Sequence, residues 1–239
     1  MNTRASSAEQ LLRIGRAPLL SRLSGKAMAW GYRLLGKDRY DDYRLERIKG
    51  SPFVVMPSVF NPKIPRTGEF LASMLDATTV SRDFRILDMG TGSGVCAVFA
   101  AKHGAHVIAV DINPAAVRCA VVNALLNDVE DKVEVRHGDL FAAVPDEQFD
   151  LVLFNPPFLR GTPDDDRDRA WRSSDVAERF SAGLRDVLKP AGFALVLLST
   201  FGDAKHFLEQ FYEAGLGVSV LAERHFVNET LTIFKLQRS

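Results

Sequence analysis

The sequence is poor in the residues that hold disulfide-linked and zinc-binding proteins together. It has two cysteines, Cys96 and Cys119, with no Cys-x-x-Cys pair, and its five histidines form no cluster along the chain. This argues against a disulfide framework and a metal site, and it favours a reducing compartment. No apolar run approaches the roughly 20 residues that cross a bilayer, and there is no secretory hydrophobic segment. We therefore expect a cytoplasmic protein with no metal ion and no membrane partner.

The chain also lacks net charge, since 30 Lys and Arg residues balance 30 Asp and Glu residues. A neutral protein has no global field that attracts nucleic acid. The balance is uneven, however, because residues 1–50 hold eleven basic and five acidic side chains, a net charge of +6. A helical hydrophobic pattern over residues 7–48, interrupted near Pro18 and Gly36, predicts two or three basic amphipathic helices there.

Three parts follow along the chain. Residues 1–50 form a basic helical extension, residues 51–68 a proline-rich connector with one short strand at 53–56, and residues 69–239 an α/β domain. In this domain, predicted helices alternate with predicted strands. The helices are expected at 69–77, 93–103, after Asn113-Pro114, at 175–188 and at 203–214, and the strands at 84–89, 105–110, 133–136, 149–154, 193–198, 217–223 and 229–235.

Strands that alternate with helices predict a mostly parallel sheet that is covered on both faces. The last two strands are joined by a short loop, so they must pair antiparallel. A seven-stranded, mostly parallel sheet that ends in an antiparallel hairpin is the Rossmann-like arrangement of class I methyltransferases. Ligands of such sheets bind outside the carboxyl ends of the strands. We therefore look for function at that edge.

A glycine loop, LDMGTGSGV, follows the first strand of this domain. Its glycines, Gly90, Gly92 and Gly94, allow a tight turn and a close approach of the backbone to a ligand. A nicotinamide enzyme would show G-x-G-x-x-G, whereas the third glycine here comes one position earlier. Asp88 before the loop would repel a pyrophosphate, but it suits a ligand with an amino group. S-adenosyl-L-methionine (SAM), which has an ammonium group and no phosphate, is such a ligand.

Two further strand ends support SAM. Asp111 and Ile112 follow the second strand about twenty residues beyond the loop, where an acidic side chain accepts from ribose hydroxyls. Asp139 and Leu140 follow the third strand, where they suit the adenine amino group and ring. A glycine loop alone also occurs in unrelated α/β proteins. Acidic residues at three strand ends favour the SAM interpretation.

A second motif, Asn155-Pro156-Pro157-Phe158, follows the fourth strand, and its prolines fix the backbone at the same edge. We expect the Asn155 side-chain oxygen and the Pro156 carbonyl to accept both N–H groups of a planar –NH2. This would aim the nitrogen at a methyl donor and stabilise the charge that develops on it. Phe158 would stack on the planar group. The alternative is that the prolines merely end a strand and Phe158 belongs to the core.

Both motifs together resemble the HemK-type protein-glutamine N5-methyltransferases, most closely their eukaryotic and archaeal branch. The resemblance covers about residues 59–235 and includes VDINPAAV, LVLFNPPF and NETLTIFKLQ. It implies methylation of a glutamine amide, typically in the GGQ tripeptide of a translation release factor. The same resemblance implies that SAM is bound by Asp88, Gly90, Asp111 and Asp139. It also implies that the amide is bound by Asn155 and Pro156. Further residues on the substrate side would be Thr67, Glu69 and Pro157.

The acceptor remains open. Family members usually have Tyr where this chain has Phe158, and Phe is frequent among relatives that methylate adenine N6 or guanine N2. An RNA or DNA base is therefore the second interpretation, and residues 1–50 could then hold phosphates, although a basic helical face is usually only solvated. A small-molecule acceptor and a non-catalytic SAM-binding protein are further alternatives. Relatives of this branch work with a small zinc-binding activator subunit, and the need for one here is open.

Overall fold

The computed structural model describes residues 42–62, 66–164 and 168–239. Most of the predicted basic helical extension lies outside these residues. Within them, the helical prediction is wrong, because strand β1 (Arg44–Ile48) pairs antiparallel with β2 (Ser51–Val55). Lys49 and Gly50 between them have φ angles of 48° and 83°. Two consecutive positive φ angles are typical of a two-residue hairpin turn, and this turn outweighs the helical pattern.

The remaining elements follow the predicted alternation. The strand predicted at 193–198 extends over twelve residues, and the helix predicted at 69–77 begins and ends earlier. The helices are α1 (Thr67–Ser73), α2 (Val95–Lys102), α3 (Pro114–Leu126), α4 (Val176–Val187) and α5 (Ala204–Glu213). The strands are β3 (Arg85–Met89), β4 (His106–Asp111), β5 (Val133–His137), β6 (Phe149–Phe154), β7 (Leu159–Arg160), β8 (Arg172–Ser173), β9 (Leu188–Ser199), β10 (Leu216–His225) and β11 (Thr230–Arg238).

Seven strands form one sheet in the order β10-β11-β9-β6-β3-β4-β5. Strands β9, β6, β3, β4 and β5 are parallel, while β11 is antiparallel to both of its neighbours. This confirms the predicted Rossmann-like fold with its closing hairpin. The chain starts this sheet at β3, adds β4 and β5 on one side, and returns to β6 on the other. The carboxyl ends of β3 and β6 therefore border the switch point, where such sheets bind ligands.

The core lies on both faces of the sheet, because successive strand residues point to opposite sides. Ile86 and Leu153 face α1 and α2, whereas Leu87 and Phe154 face α4 and α5. All four side chains are buried. Strands that are apolar on both faces are typical of a parallel sheet between two helical layers.

Two asparagines of α3 hold the β1–β2 hairpin against the domain. The fully buried Asn123 accepts from the Val54 N–H through Oδ1 (2.7 Å) and donates to the Val54 carbonyl through Nδ2 (2.7 Å). Asn127 Nδ2 donates to the Pro52 carbonyl (2.9 Å). These bonds satisfy backbone groups of β2 that no strand of the described residues pairs on that side. The part of the connector that follows β2 therefore lies at the carboxyl edge of the sheet.

Candidate active site

A cleft of about 250 Å³ lies at the carboxyl ends of β3, β4 and β6. It brings together most of the residues that the sequence predicted for a site. Those that line it are Asp88, Gly90, Gly92, Asp111, Ile112, Asp139, Leu140, Asn155, Pro156, Pro157 and Phe158. Three predicted residues, Thr67, Glu69 and Gly94, do not line this cleft. Thr67 nevertheless contacts Asn155, whereas Glu69 is half-buried on α1.

The glycine loop turns under the cleft with Gly90, Gly92 and Gly94 all at positive φ. A Cβ on Gly92 would meet nothing within 4 Å, so this part of the loop is open toward the cleft. A Cβ on Gly94 would instead come within 3.1 Å of the Ala120 Cα on α3. Gly94 therefore allows α2 to begin close against α3, and its contribution to the cleft is indirect.

Asp88 is a buried carboxylate at the end of β3. Its Oδ2 accepts hydrogen bonds from the Thr91 hydroxyl (2.6 Å) and from the Ala97 N–H (3.1 Å). The pKa of Asp88 is raised to about 7, chiefly by burial and also by the charge of Asp111, while the two hydrogen bonds lower it. No Lys or Arg of the described residues forms an ion pair with it. A carboxylate placed in this way favours a cationic ligand group in the cleft.

Asp111 links the glycine loop to the turn after β4. Its Oδ2 accepts from the Gly92 N–H (2.8 Å) and its Oδ1 from the Asn113 N–H (2.9 Å). Burial raises the pKa of Asp111, while these hydrogen bonds and the nearby His137 lower it. His137 Nε2 also lies 3.0 Å from the Ile112 carbonyl, which fixes the turn on its outer side. Both carboxylate oxygens retain lone pairs for further donors in the cleft.

Asp139 pairs across the cleft with an arginine that sequence reasoning missed. Arg179 on α4 lines the cleft and lies 2.8 Å from the Asp139 carboxylate, with Asp175 at 3.8 Å. The i, i+4 spacing of Asp175 and Arg179 on a helix indicates that these two side chains can pair. It does not reveal that Arg179 also pairs with Asp139, which follows β5. Leu140 adopts φ 48°, a conformation that is uncommon for a residue with a branched side chain.

Asn155 has one satisfied and one unsatisfied side-chain atom. Its Nδ2 donates to the hydroxyl of Thr67 (3.2 Å), which is fully buried at the start of α1. Its Oδ1 is buried and has no hydrogen-bond partner among the described residues. A buried acceptor without a donor is costly, by about 1–3 kcal/mol. The arrangement therefore leaves a fixed acceptor for an N–H group that enters the cleft.

Phe158 is mostly buried, with 9% of its surface exposed, and it contributes both to the core and to the cleft wall. Its carbonyl accepts from the Asp203 N–H (3.0 Å). Gly202 lies directly behind it, since a Cβ there would come within 2.5 Å of the same carbonyl. The turn between β9 and α5 thus fixes the position of Phe158. Most of this ring packs as core, and its remaining surface faces the cleft.

Two segments that are distant in sequence meet beside the NPPF motif. Phe60 of the connector packs edge-on against Trp171, with ring centroids 4.7 Å apart. Trp171 immediately precedes β8, and Arg172 after it bonds Asp168 (3.1 Å). Phe60, Arg169 and Arg172 line the cleft. The sequence did not reveal the contact between Phe60 and Trp171, because an aromatic residue between prolines gives no indication of its distant partner.

Comparisons with known proteins identify the family of the chain. Residues 51–224 match the family described as "Methyltransferase small domain". The chain belongs to this family. It is a SAM-dependent N-methyltransferase with a Rossmann-like fold, as the sequence predicted. Among the described residues of the methyltransferase, no helix is long and apolar enough to cross a membrane. The same residues contain no group of three or more His, Cys, Asp or Glu side chains that could hold a metal ion.

Relatives of this methyltransferase confirm the resemblance to glutamine methyltransferases. A release factor glutamine methyltransferase of Koribacter versatilis is 31% identical over 188 residues, 66% of this chain and 66% of the relative. A putative protein N5-glutamine methyltransferase of Methanocaldococcus jannaschii is 28% identical over 200 residues, 80% of this chain and 98% of the relative. The chain thus spans about two thirds of the first relative's length.

Other matches act on RNA or lie in a complex. A tRNA1(Val) (adenine(37)-N6)-methyltransferase of Bacteroides thetaiotaomicron is 33% identical over 124 residues, 48% of this chain and 52% of the relative. A solved E. cuniculi Mtq2-Trm112 complex, described as responsible for methylation of the eRF1 translation termination factor, matches with a TM-score of 0.56 and 23% identity. That match covers 76% of this chain and 99% of the other. At this identity the likeness shows the fold alone.

The residues of the cleft fit SAM. Asp88 is buried without a cationic partner, which suits the ammonium group of SAM. The loop at Gly92 is open where a ligand backbone would pass, and Asp111 lies at the end of the next strand. Asn155 lines the same cleft on the β6 side, and its buried side-chain oxygen has no donor among the described residues. The cleft therefore has groups that can bind SAM and a group that can bind the nitrogen that receives the methyl group.

Proposed function

We propose that this methyltransferase acts on the side-chain amide nitrogen of a glutamine in a protein, as release factor glutamine methyltransferases do. The observation that carries the proposal is the buried Asn155 Oδ1, which has no donor among the described residues while Thr67 holds the other side of the amide. A planar –NH2 group on the substrate has two N–H donors, and one of them could donate to this oxygen. The glutamine methyltransferases among the relatives support the same substrate.

The chemistry requires orientation more than acid–base catalysis. An amide nitrogen is a poor nucleophile, because its lone pair is delocalised into the carbonyl group. In this proposal, Asn155 Oδ1 and the Pro156 carbonyl each accept one N–H of the glutamine amide. The two bonds direct the nitrogen lone pair at the methyl group and stabilise the positive charge that grows on nitrogen. The methylated nitrogen is then strongly acidic and loses a proton to water, so no ionisable base is required.

The residues around SAM have separate tasks in the proposal. When bound, SAM supplies an electrophilic methyl group on a sulfonium. Asp88 would hold the ammonium end, Asp111 the ribose hydroxyls, and Asp139 with Leu140 the adenine. Since Asp139 already bonds Arg179 through one oxygen, its second oxygen is the one available to the adenine amino group. The part of the Phe158 ring that faces the cleft would contact the planar amide of the glutamine.

The second candidate is methylation of a nucleic-acid base. An adenine N6 amine is also a planar –NH2 group, so Asn155 would treat it in the same way. Two observations favour this candidate: Phe158 in place of the more usual Tyr, and a relative that methylates adenine in tRNA. The net charge of +6 over residues 1–50 would then serve phosphate binding.

One experiment separates the candidates. The purified protein is incubated with methyl-labelled SAM and fractionated cell extract, and the products are divided between protease and nuclease. Label that disappears with protease, and that maps by mass spectrometry to a glutamine of a release factor, is the expected result. Label that disappears with nuclease would replace glutamine with an RNA or DNA base. The Asn155→Ala protein serves as the control for contaminating methyltransferases. Parallel reactions with a co-purified small subunit test whether an activator is needed, as the Mtq2-Trm112 complex suggests.

A further inference from the structure

The turn between β10 and β11 presents two apolar side chains to solvent. Val227 at its apex is fully exposed and Phe226 beside it is 36% exposed. Tight turns usually carry Gly, Asn, Asp or Ser at such positions, since these residues suit both the backbone and the solvent. The turn is nevertheless ordered, because the Phe226 N–H donates to the Glu229 carbonyl (2.7 Å). The turn thus holds two adjacent apolar side chains at the surface in a fixed position.

This turn lies at the same edge of the sheet as the NPPF motif. Strand β9 runs parallel to β6, and Ser199, its last residue, pairs with Leu231 near the start of β11. The Thr230 N–H donates to the Thr200 hydroxyl (2.9 Å), and the Thr200 N–H donates to the Thr230 carbonyl (3.0 Å). These bonds tie the turn to the carboxyl end of β9.

Only a few residues separate the turn from the acceptor side of the cleft. The Ser199 hydroxyl donates to the carboxylate of Glu229 in the turn. From Thr200 the chain continues to Gly202 and Asp203, which contact the carbonyl of Phe158. The turn is therefore connected by direct contacts to the wall of the cleft that faces the acceptor.

A separate group of exposed apolar side chains lies on α3. Val121, Leu125 and Leu126 are exposed on α3. This helix packs beside β4 and β5, on the far side of β6 from the β10–β11 turn. The α3 side chains thus provide an internal comparison, since they have similar chemistry at a different place.

We propose that Phe226 and Val227 form a docking contact for the folded protein that carries the acceptor glutamine. The inference rests on the proposed function, because it assumes that the acceptor is a glutamine that belongs to a folded protein. A specific protein complex buries about 800 Å² on each partner. A cleft of about 250 Å³ that also holds SAM provides little of this area. The rest must lie on the surface around it, and the turn is an apolar part of that surface.

The side chains of the turn itself suit a protein partner better than a nucleic acid. The turn residues are Phe226, Val227, Asn228 and Glu229, which include no Lys or Arg. The guanidinium of the neighbouring Arg224 lies over the Phe70 ring of α1, 4.5 Å from its centroid, so it points inward. Phosphates are contacted mainly by Lys and Arg.

The test compares one acceptor in two forms. The double variant Phe226→Ser, Val227→Asp and the control variant Leu125→Asp are assayed with the folded acceptor protein and with a short peptide around the same glutamine. For the turn variant we expect KM for the folded protein to rise about tenfold with kcat unchanged, the effect of losing a central apolar contact. Its kinetics with the peptide should equal those of the wild type, and the α3 control should match the wild type with both acceptors.

Three outcomes would overturn the inference. An unchanged KM for the folded protein would show that the turn does not contact it. An equal loss with protein and peptide would place the effect in the fold or the cleft, and thermal unfolding of the variant separates these two. A wild-type protein that methylates neither form would overturn the proposed function and, with it, this inference. In that case, a raised KM for RNA in the turn variant would assign the turn to a nucleic-acid acceptor instead.

Discussion

Asp88 gives a quantitative prediction, because its pKa differs between the folded and unfolded chain. Its pKa is raised by burial to about 7, from an ordinary value of 3.8. Between these values the folded protein binds more protons than the unfolded chain, so stability contributed by this group falls as pH rises from about 4 to about 7. A difference of about three pKa units corresponds to roughly 4 kcal/mol at neutral pH and above.

Replacement of Asp88 by Asn removes the charge but leaves an oxygen that can accept from Thr91 and Ala97. In the absence of SAM, we therefore expect the Asp88→Asn protein to be more stable than the wild type at pH 8, by up to a few kcal/mol. The difference should shrink toward pH 4, where the wild-type carboxyl is also neutral. SAM should bind the variant at least about 30-fold more weakly, since a charged hydrogen bond contributes roughly 2 kcal/mol.

Two measurements check this reasoning. Urea unfolding from pH 4.5 to 8 gives the stability difference, and calorimetric titration gives the SAM affinity over the same range. Wild-type affinity should fall by up to about tenfold for each pH unit below about 7 and level off near the affinity of the variant, because protonation of Asp88 removes the charge that holds the ammonium group. Asp131→Asn, at an exposed carboxylate, is the matched control. A variant that is less stable at pH 8, or that keeps its SAM affinity, would refute the assignment of Asp88.

Three further predictions concern the cleft. Asn155→Ala should lower kcat about 100-fold or more while the SAM Kd changes less than about twofold, as calorimetry and steady-state kinetics will show; retained turnover would contradict the role of the amide. Thr67→Val removes the hydroxyl that orients Asn155 and should lower kcat about tenfold, whereas Thr67→Ser should restore most of it. Equal losses in both Thr67 variants would indicate a packing effect instead. Gly94→Ala should lower the stability by about 2 kcal/mol, because φ 80° strains a side chain and the Cβ approaches Ala120; an unchanged urea midpoint would contradict this.

The features whose position in the fold the sequence predicted are local ones. The glycine loop, the acidic strand ends and the NPPF motif each depend on a few consecutive residues, and the order of strands follows from their alternation with helices. The carboxyl ends of β3, β4 and β6 meet because the sheet is parallel. This is why Asp88, Asp111 and Asn155 could be placed in one cleft before the structure was known.

The features that the sequence did not reveal depend on contacts between distant residues. The pairing of Arg179 with Asp139 joins α4 to the end of β5, and Phe60 packs against Trp171 beside the NPPF motif. The helical pattern over residues 7–48 extends through residues 44–48, and the hairpin turn at Lys49-Gly50 lacks the Asn-Gly signal that would indicate strands there. In the sequence Gly94 resembles Gly90 and Gly92, and only the structure shows that it faces α3 instead of the cleft.

The docking of the β1–β2 hairpin determines where the chain can be shortened. The family match begins at residue 51, and a fragment that began there would lose β1 and leave one edge of β2 bare. It would also lose Ile48 from the cluster that contains Phe53 and Phe99. A fragment beginning at residue 69 would leave the buried amide of Asn123 facing an empty surface. The shortest self-sufficient fragment therefore begins no later than Arg44, upstream of the segment that sequence similarity alone would select.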